Sequence, residues 1–213
     1  MVSFADELSA LLPADLPNRD SCIANCARHL DMIVEMNAVM NLTRILSPRD
    51  AAIKHVVDSV LPWRLFQGAE HVVDAGTGAG FPGIPLSLVL PKTRFSLLDA
   101  TQKKARFVES VVNALALPNV DVHPNRAEEW LHRHRADIVT GRAIAPLHKV
   151  ILVFAQVIRS GARVLLYKGP EAESEIAEAA AGAHKRQVAC RVISRYELPD
   201  SLGVRTIVEL TRA

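Results

Sequence analysis

The segment from His71 to Gly83, HVVDAGTGAGFPG, constrains the fold of this chain more than any other. A short β-branched run leads into Asp74 and then into a turn with glycine at positions 76, 78 and 80. Apolar residues of helical character follow the turn. Glycines here let the backbone turn tightly and approach a ligand, and the helix behind them offers unpaired N–H groups. The segment predicts a strand–turn–helix unit that binds a nucleotide-type ligand, with Gly76 and Gly78 close to it.

Two cofactors compete for this turn. A dinucleotide favours G-x-G-x-x-G, but here the third glycine comes one residue early and position 81 is Phe. The carboxylate of Asp74 would also lie close to a pyrophosphate, which is unfavourable. S-adenosylmethionine has no phosphate and carries two cationic groups, which a nearby carboxylate favours. Asp99 ends the next apolar run, where an acidic residue binds ribose hydroxyls. We therefore expect S-adenosylmethionine, with Asp74 and Asp99 in its site; the alternative without a ligand is a plain glycine turn.

From residue 71 onward the pattern alternates between strands and helices, which predicts a parallel sheet covered on both faces. Strands are expected near 71–75, 94–99, 119–123, 136–140, 161–167, 187–196 and 204–211. Helices are expected near 82–90, 102–116, 126–133, 146–159 and 171–184. The last two strands have no helix between them and should pair antiparallel. The prediction is a Rossmann-like α/β domain over 67–213, with a mostly parallel seven-stranded sheet and one antiparallel strand.

Residues 1–66 are expected to form an N-terminal helical extension. Asp20 or Ser21 can cap a helix that continues to Met40. Ser47 can cap a second helix that starts at Pro48 and continues to about Leu61.

Composition limits the partners and the compartment. The net charge is only +2, so any surface for nucleic acid must be a local patch. Cys22 and Cys26 share a helix face, but no paired set of His and Cys completes a zinc site, and we expect no metal. Buried thiols favour a reducing cytoplasm. No apolar segment approaches the length that a bilayer needs, so we expect no membrane contact. Separately, we expect the protein to be a monomer.

The block from Asp74 to Leu86, DAGTGAGFPGIPL, closely resembles the glucose-inhibited division protein B family. Its members are small-subunit ribosomal RNA guanine-N7 methyltransferases, also called methyltransferase G. Further matching pieces follow in order along the chain: Asn41–Thr43, His55–Ser59, Leu98–Asp99, Lys103–Phe107, Asn125–Glu128, Arg142–Ala143 and Lys168–Gly169. The resemblance implies the class I S-adenosylmethionine-dependent methyltransferase fold. It also implies methyl transfer to N7 of a guanine in 16S rRNA near the decoding centre.

The resemblance also assigns cofactor contacts. It implies that Gly76 and Phe81 contact the cofactor from the loop, and that Ala127 and Glu128 border the adenine. It implies that Arg142, at the end of the fourth strand, lines the same pocket. The alternative for Phe81 is that it packs the helix against the sheet.

Several basic residues are expected to contact RNA. Lys103, Lys104 and Arg106 begin the helix after Asp99, where cations oppose the helix dipole and so suggest an anionic partner. The remaining RNA candidates share the same sheet edge: Arg44, Arg126 and Lys168. For Arg126 and Arg142, service to the cofactor, to the RNA or to both stays open. The basic tract at 132–135 closes a predicted helix, where cations are favourable, and is expected to be structural.

The predicted reaction needs no general base, because guanine N7 has an in-plane lone pair and no proton to lose. We therefore nominate no catalytic residue. His55 and Asp58 lie three apart on a predicted helix; a local His–Asp bond on an exposed face and a role in ordering the cofactor site both stay open. Two rival functions are a small-molecule or protein methyltransferase on the same fold and a non-enzymatic RNA-binding protein.

Overall fold

The computed structural model describes residues 2–45 and 47–213. Its described part contains a seven-stranded sheet with the order β3-β2-β1-β4-β5-β7-β6. The strands are β1 (His71–Ala75), β2 (Arg94–Leu98), β3 (Val120–His123), β4 (Ile138–Arg142), β5 (Arg163–Lys168), β6 (Val188–Glu197) and β7 (Val204–Arg212). Strand β7 is antiparallel to both of its neighbours, and the other pairs are parallel. The predicted fold class is confirmed, including the single antiparallel strand.

Helices cover both faces of this sheet. In chain order they are α1 (Phe4–Leu11), α2 (Arg19–Asn37), α3 (Pro48–Ala51), α4 (Asp58–Val60), α5 (Gly83–Val89), α6 (Gln102–Ala114), α7 (Ala127–Leu131), α8 (Leu147–Arg159) and α9 (Ala172–Lys185). A π-helical segment, Ala52–Val57, joins α3 to α4, and short 3₁₀ turns lie at Trp63–Phe66 and Pro199–Ser201.

Alternation along the strands divides the buried side chains into two clusters. Val72 and Leu97 belong to one cluster, which also contains side chains of α1, α2, α5 and α6. Val73 and Leu98 belong to the other, together with side chains of α7, α8 and α9. Successive strand residues point to opposite faces, so one strand supplies both clusters. The N-terminal helices pack on one face of the sheet, within a cluster that they share with the strands.

Three details of the helical predictions differ from the structure. Helix α2 is preceded by Asn18 in a left-handed conformation, not capped by Asp20 or Ser21, and it ends at Asn37. Ser47 does cap α3, because its hydroxyl accepts the Asp50 N–H at 3.3 Å. The expected helix from Pro48 to about Leu61 is helical to Val60, but its residues 52–57 adopt the π-helical form.

Candidate functional site

Asp74 ties together the two ends of the glycine loop between β1 and α5. Its Oδ2 accepts the Thr77 hydroxyl at 2.6 Å and the Gly83 N–H at 2.9 Å. The residue is fully buried, and burial raises the pKa of its carboxyl from 3.8 to about 6, against the opposing effect of these two bonds. Asp74 does not line the nearby cavity described below. Asp74 therefore holds the loop through these two bonds, and its direct contact with the cofactor stays a prediction.

The loop conformation depends on glycine at its first turn. Gly76 has a φ of +70°, a region that side-chain-bearing residues seldom adopt, and a Cβ there would lie 3.1 Å from Ile144 Cγ2. Gly76 lines the cavity, whereas Gly78 does not. The Gly78 N–H instead donates to Asp99 Oδ2 at 3.0 Å.

Asp99 joins the glycine loop to the start of α6. Its second oxygen accepts the Thr101 N–H at 2.8 Å, so both carboxylate oxygens already bind backbone. The carboxylate lies at the carboxyl end of β2, and its neighbour Ala100 lines the cavity. A carboxylate accepts about four hydrogen bonds in total, so Asp99 keeps lone pairs for a ligand hydroxyl.

A cavity of about 260 Å³ opens beside the glycine loop at the carboxyl edge of the sheet. Three of the predicted cofactor residues line it: Gly76, Ala127 and Glu128. Crevices at this edge are the usual ligand sites of open α/β sheets. Arg126, which is also among the predicted RNA-binding residues, lines the cavity too.

The prediction missed the opposite wall of this cavity. Ile144, Ala145, Lys149, Val150 and Phe154 line it, from the loop after β4 and from α8. One sequence feature could have indicated this wall: the Arg142–Ala143 pair matches the family, and the residues directly after it line the cavity. The contribution of α8 could not be predicted, because its apolar face has the pattern of an ordinary core helix.

Phe81 packs in the interior and does not line the cavity. Its ring stacks between His29, at 4.7 Å between centroids, and His55, at 4.8 Å. His29 Nε2 also lies 2.7 Å from the Ala79 carbonyl, to which it donates. Burial lowers the pKa of His29 to about 4 and that of His55 to about 3, so both rings are neutral at pH 7. Phe81 therefore packs between two histidines of the N-terminal helices, and its contact with the cofactor stays a prediction.

Arg142 binds the N-terminal helical region through Asp58. Its Nη1 donates to Asp58 Oδ2 at 3.0 Å and to the Lys54 carbonyl at 2.8 Å. Asp58 also accepts from Tyr196 at 3.2 Å and from Arg205 at 3.4 Å, and its side chain is only 2% exposed. Arg142 is absent from the lining of the cavity, and its contact with the cofactor stays a prediction.

His55 and Asp58 do not form the local bond considered from the sequence. His55 Nε2 lies 3.1 Å from Thr43 Oγ1, and both His55 and Asp58 are buried, so the exposed face is wrong. The π-helical segment contains His55 and changes the spacing between the two side chains.

The predicted RNA residues lie in four places: Arg44 in the loop before α3, Arg126 directly before α7, Lys168 at the end of β5, and Lys103, Lys104 and Arg106 near the start of α6. Lys103, Arg106, Arg44 and Arg126 are exposed, and Lys104 is half-buried. None of these five forms an ion pair within residues 2–45 and 47–213. Lys168 differs, because its ammonium donates to Glu175 at 2.7 Å and to the Ala145 carbonyl at 2.8 Å. Its charge is already neutralised by a neighbouring carboxylate.

The described residues offer neither a metal-binding cluster nor a helix that could cross a bilayer. No group of three or more His, Cys, Asp or Glu in that part of the chain could hold a metal ion. No helix among those residues has the length and hydropathy to cross a bilayer.

Comparison with known proteins identifies the relatives of this chain. Residues 23–199 match the family model GidB, rRNA small subunit methyltransferase G. A protein of Solibacter usitatus called ribosomal RNA small subunit methyltransferase G is 67% identical over 209 residues, covering 98% of this chain and all of the relative. A protein of the same name from Symbiobacterium thermophilum is 37% identical, over 84% of this chain and 78% of the relative. The resemblance drawn from the sequence motifs is confirmed.

Solved structures agree on the fold. An O-methyltransferase from Bacillus cereus in complex with SAH has a TM-score of 0.60 at 17% identity, covering 87% of this chain and 91% of that one. Magnesium protoporphyrin IX methyltransferase from Synechocystis, with bound SAM, also has a TM-score of 0.60 at 17% identity, over 87% of this chain and 97% of that one.

Proposed function

The chain belongs to the rRNA small subunit methyltransferase G family, and from this premise we propose that it methylates N7 of a guanine in 16S rRNA, with S-adenosylmethionine as the methyl donor. The observation that carries the proposal is the cavity at the carboxyl edge, where the Asp74-tied glycine loop meets Ala127 and Glu128. An rRNA substrate supports the cytoplasm as the compartment that we propose. We further propose that it acts as a monomer without a metal.

The residues around the cavity fit the proposed cofactor. Gly76, without a side chain, lets the backbone approach the ligand, while apolar atoms of Ile144 and Phe154 suit an adenine ring. The Ala127 N–H and the Glu128 carboxylate are available to its polar edge, and Asp99 keeps lone pairs for ribose hydroxyls. When bound, S-adenosylmethionine supplies an electrophilic methyl group at its sulfonium.

Asp74, Gly78 and Phe81 act on this site by holding the glycine loop, and Arg142 acts on it by holding the end of β4. Asp74 closes the loop, Gly78 binds Asp99, and Phe81 anchors the loop to two histidines. Arg142 fixes the end of β4 to the N-terminal helical region.

The protein's contribution to the reaction is positioning and exclusion of water. Guanine N7 is already nucleophilic, so holding it in line with the methyl group replaces general-base catalysis. Arg44, Lys103, Lys104, Arg106 and Arg126 would hold backbone phosphates around the carboxyl edge. Lys168 is placed to position Glu175 and the Ala145 loop rather than RNA.

A methyl-transfer assay tests the proposal. The parent protein is incubated with labelled S-adenosylmethionine and with small-subunit rRNA, or the intact small subunit, from cells that lack it. The RNA is then digested and its nucleosides are identified. We expect labelled 7-methylguanosine at one site. Absence of label from both substrates, with cofactor binding intact by calorimetry, would point instead to a small-molecule or protein substrate.

A further inference from the structure

A second, larger cavity adjoins the cofactor cavity along helices α7 and α8. Its volume is about 420 Å³, and Glu128, Val153 and Phe154 line both cavities. We call this larger cavity the α7–α8 groove. Helix α8 has 13 residues and therefore spans about 20 Å, from the carboxyl edge to the opposite end of the sheet. The groove continues the cofactor cavity down the side of the molecule.

An exposed aromatic ring stands on one wall of this groove. His134 stacks on Trp130 with 3.9 Å between ring centroids and 14° between planes. Its Nδ1 lies 2.8 Å from the Trp130 carbonyl, to which it donates, so the ring is held by both a stack and a hydrogen bond. His134 is exposed while Trp130 is buried. The structure thus presents the outer face of a fixed ring to solvent.

Two arginines flank this ring. Arg133 and Arg135 are exposed and line the groove, and neither side chain forms an ion pair or hydrogen bond with any residue that the structure describes. Most other arginines of the chain bind carboxylates, as Arg163 and Arg191 both do with Glu209. The carboxylate of Asp137, also in the groove, already accepts the Glu70 and His71 N–H groups at 2.7 and 2.9 Å.

A helix-dipole explanation does not account for this tract. Helix α7 ends at Leu131 after five residues, so the arginines lie beyond the helix and its dipole is small. The sequence-based interpretation of the tract as a helix end is therefore insufficient.

We propose that the α7–α8 groove binds a single-stranded segment of the small-subunit rRNA that flanks the methylated base. A ring for base stacking, two cations for phosphates and an apolar floor at Val153 and Phe154 are what sequence-tolerant binding of a single strand requires. The groove meets the cofactor cavity at Glu128, Val153 and Phe154, so a strand bound there would approach the site from its adenine side. The inference rests on the proposed function, because it takes the substrate to be RNA.

Charge reversal of the two arginines tests the groove directly. The variant R133E/R135E is compared with K185E/R212E, which changes the net charge equally at two exposed residues outside the groove. Binding to isolated small-subunit rRNA from cells lacking the protein is measured over a range of salt concentrations. We expect at least about tenfold weaker binding than in the control variant and a salt slope smaller by about 1.4, the value for two lost single-strand phosphate contacts. Cofactor affinity by calorimetry should stay unchanged.

The stacking surface is tested at His134. The variant H134A removes the ring and should weaken rRNA binding by about tenfold, whereas H134F keeps a ring on Trp130 and should bind within about twofold of the parent. Equal binding by H134A and H134F would overturn the stacking role.

The outcomes separate this inference from the proposed function. Binding of R133E/R135E within twofold of the control variant would overturn the groove, even if the parent methylates rRNA normally. Loss of binding to the intact subunit but not to isolated rRNA would also overturn it, since the partner would then be a ribosomal protein. Weaker rRNA binding by R133E/R135E, with no methyl transfer by the parent, would support the groove and reject the proposed reaction.

Discussion

Asp74 is the residue on which the glycine loop depends most directly. One of its oxygens accepts two hydrogen bonds, while Oδ1 has no partner among the described residues. A buried carboxylate with half of its acceptor capacity unused is costly to ionise. This explains why the raised pKa survives the opposing effect of Thr77, Gly83 and the nearby charge of Arg142.

The raised pKa predicts a measurable dependence of stability on pH. The folded state binds the Asp74 proton more tightly than the unfolded state, with a pKa of about 6 against 3.8. This contribution to stability is present below about pH 4 and is lost as the pH rises through 6, amounting to about 3 kcal/mol. The D74N variant lacks it. As the pH is raised from about 4.5 to 7.5, the unfolding free energy of D74N measured in urea should therefore increase relative to that of the parent by about 2 kcal/mol. A parent-minus-variant difference that stays constant with pH would refute the assignment.

Gly83 begins α5 at a point where no side chain fits. A Cβ there would lie 2.2 Å from Leu97 Cδ2 and 2.8 Å from Asp74 Oδ2. Leu97 is fully buried and Asp74 is held by two bonds, so neither can move cheaply.

The G83A variant should therefore lose about 1–3 kcal/mol of unfolding free energy through overpacking, and its affinity for the cofactor should fall with the shifted loop. Gly182 on α9 is the matched control, because a Cβ there meets nothing within 4 Å. In the same urea titrations, G182A should be neutral or stabilised by about 0.5–1 kcal/mol. Equal stability of G83A and G182A would show that the loop has more freedom than its geometry indicates.

At the scale of elements, helix α2 and the π-helical segment both contact the glycine loop and hold it in place. His29 on α2 and His55 on the π-helical segment enclose Phe81, and His29 also binds the carbonyl of Ala79. The N-terminal helices thus position the loop that contributes Gly76 to the cavity.

Replacement of His29 tests this connection. H29L removes the donor to Ala79, whereas H29Q retains an N–H donor at a similar distance from the backbone. We expect H29L to lower the unfolding free energy by about 1–3 kcal/mol more than H29Q, since it leaves a buried carbonyl unpaired. The KM for S-adenosylmethionine should rise more than kcat falls. If the two variants had equal KM values, the hydrogen bond would have no part in positioning the loop.

The local sequence pattern predicted the strands of the sheet, but it could not predict side-chain contacts between elements far apart in sequence. β-Branched runs separated by glycine and proline located the strands, and the missing helix before β7 revealed its direction. The π-helical segment after Pro48 could not be predicted from local sequence. Its Lys54 carbonyl accepts a hydrogen bond from Arg142, which lies 88 residues away. Phe81 was equally ambiguous, because the two histidines that enclose it come from helices far away in sequence.

The candidate site shows the same limit. The glycine motif and the family resemblance pointed to Gly76, Ala127 and Glu128, and all three line the cavity at the carboxyl edge. Asp74 and Arg142 also lie at the carboxyl ends of strands, but their side chains bind other elements of the fold. Asp74 accepts the Gly83 N–H of α5, and Arg142 donates to Asp58 of α4.

At the scale of the whole molecule, the division at residue 67 runs through a continuous core. Trp63 and Phe66 precede that boundary, yet they belong to the same buried cluster as Val72 and Ile84 beyond it. Trp130 belongs to the cluster on the other face of the sheet. Strand β1 contributes to both clusters, so loss of either face would expose the other side of the same strand.

This sharing predicts that both faces unfold together, and the two tryptophans of the chain can report on them separately. W130F leaves Trp63 as the fluorescent reporter of the face with the N-terminal helices, and W63F leaves Trp130 as the reporter of the opposite face. In each variant, the urea transition by fluorescence should coincide with the transition by far-UV circular dichroism. Each variant is its own control, because the two signals come from the same sample. An earlier fluorescence transition in W130F would mean that residues 1–66 separate from a sheet that stays folded without them.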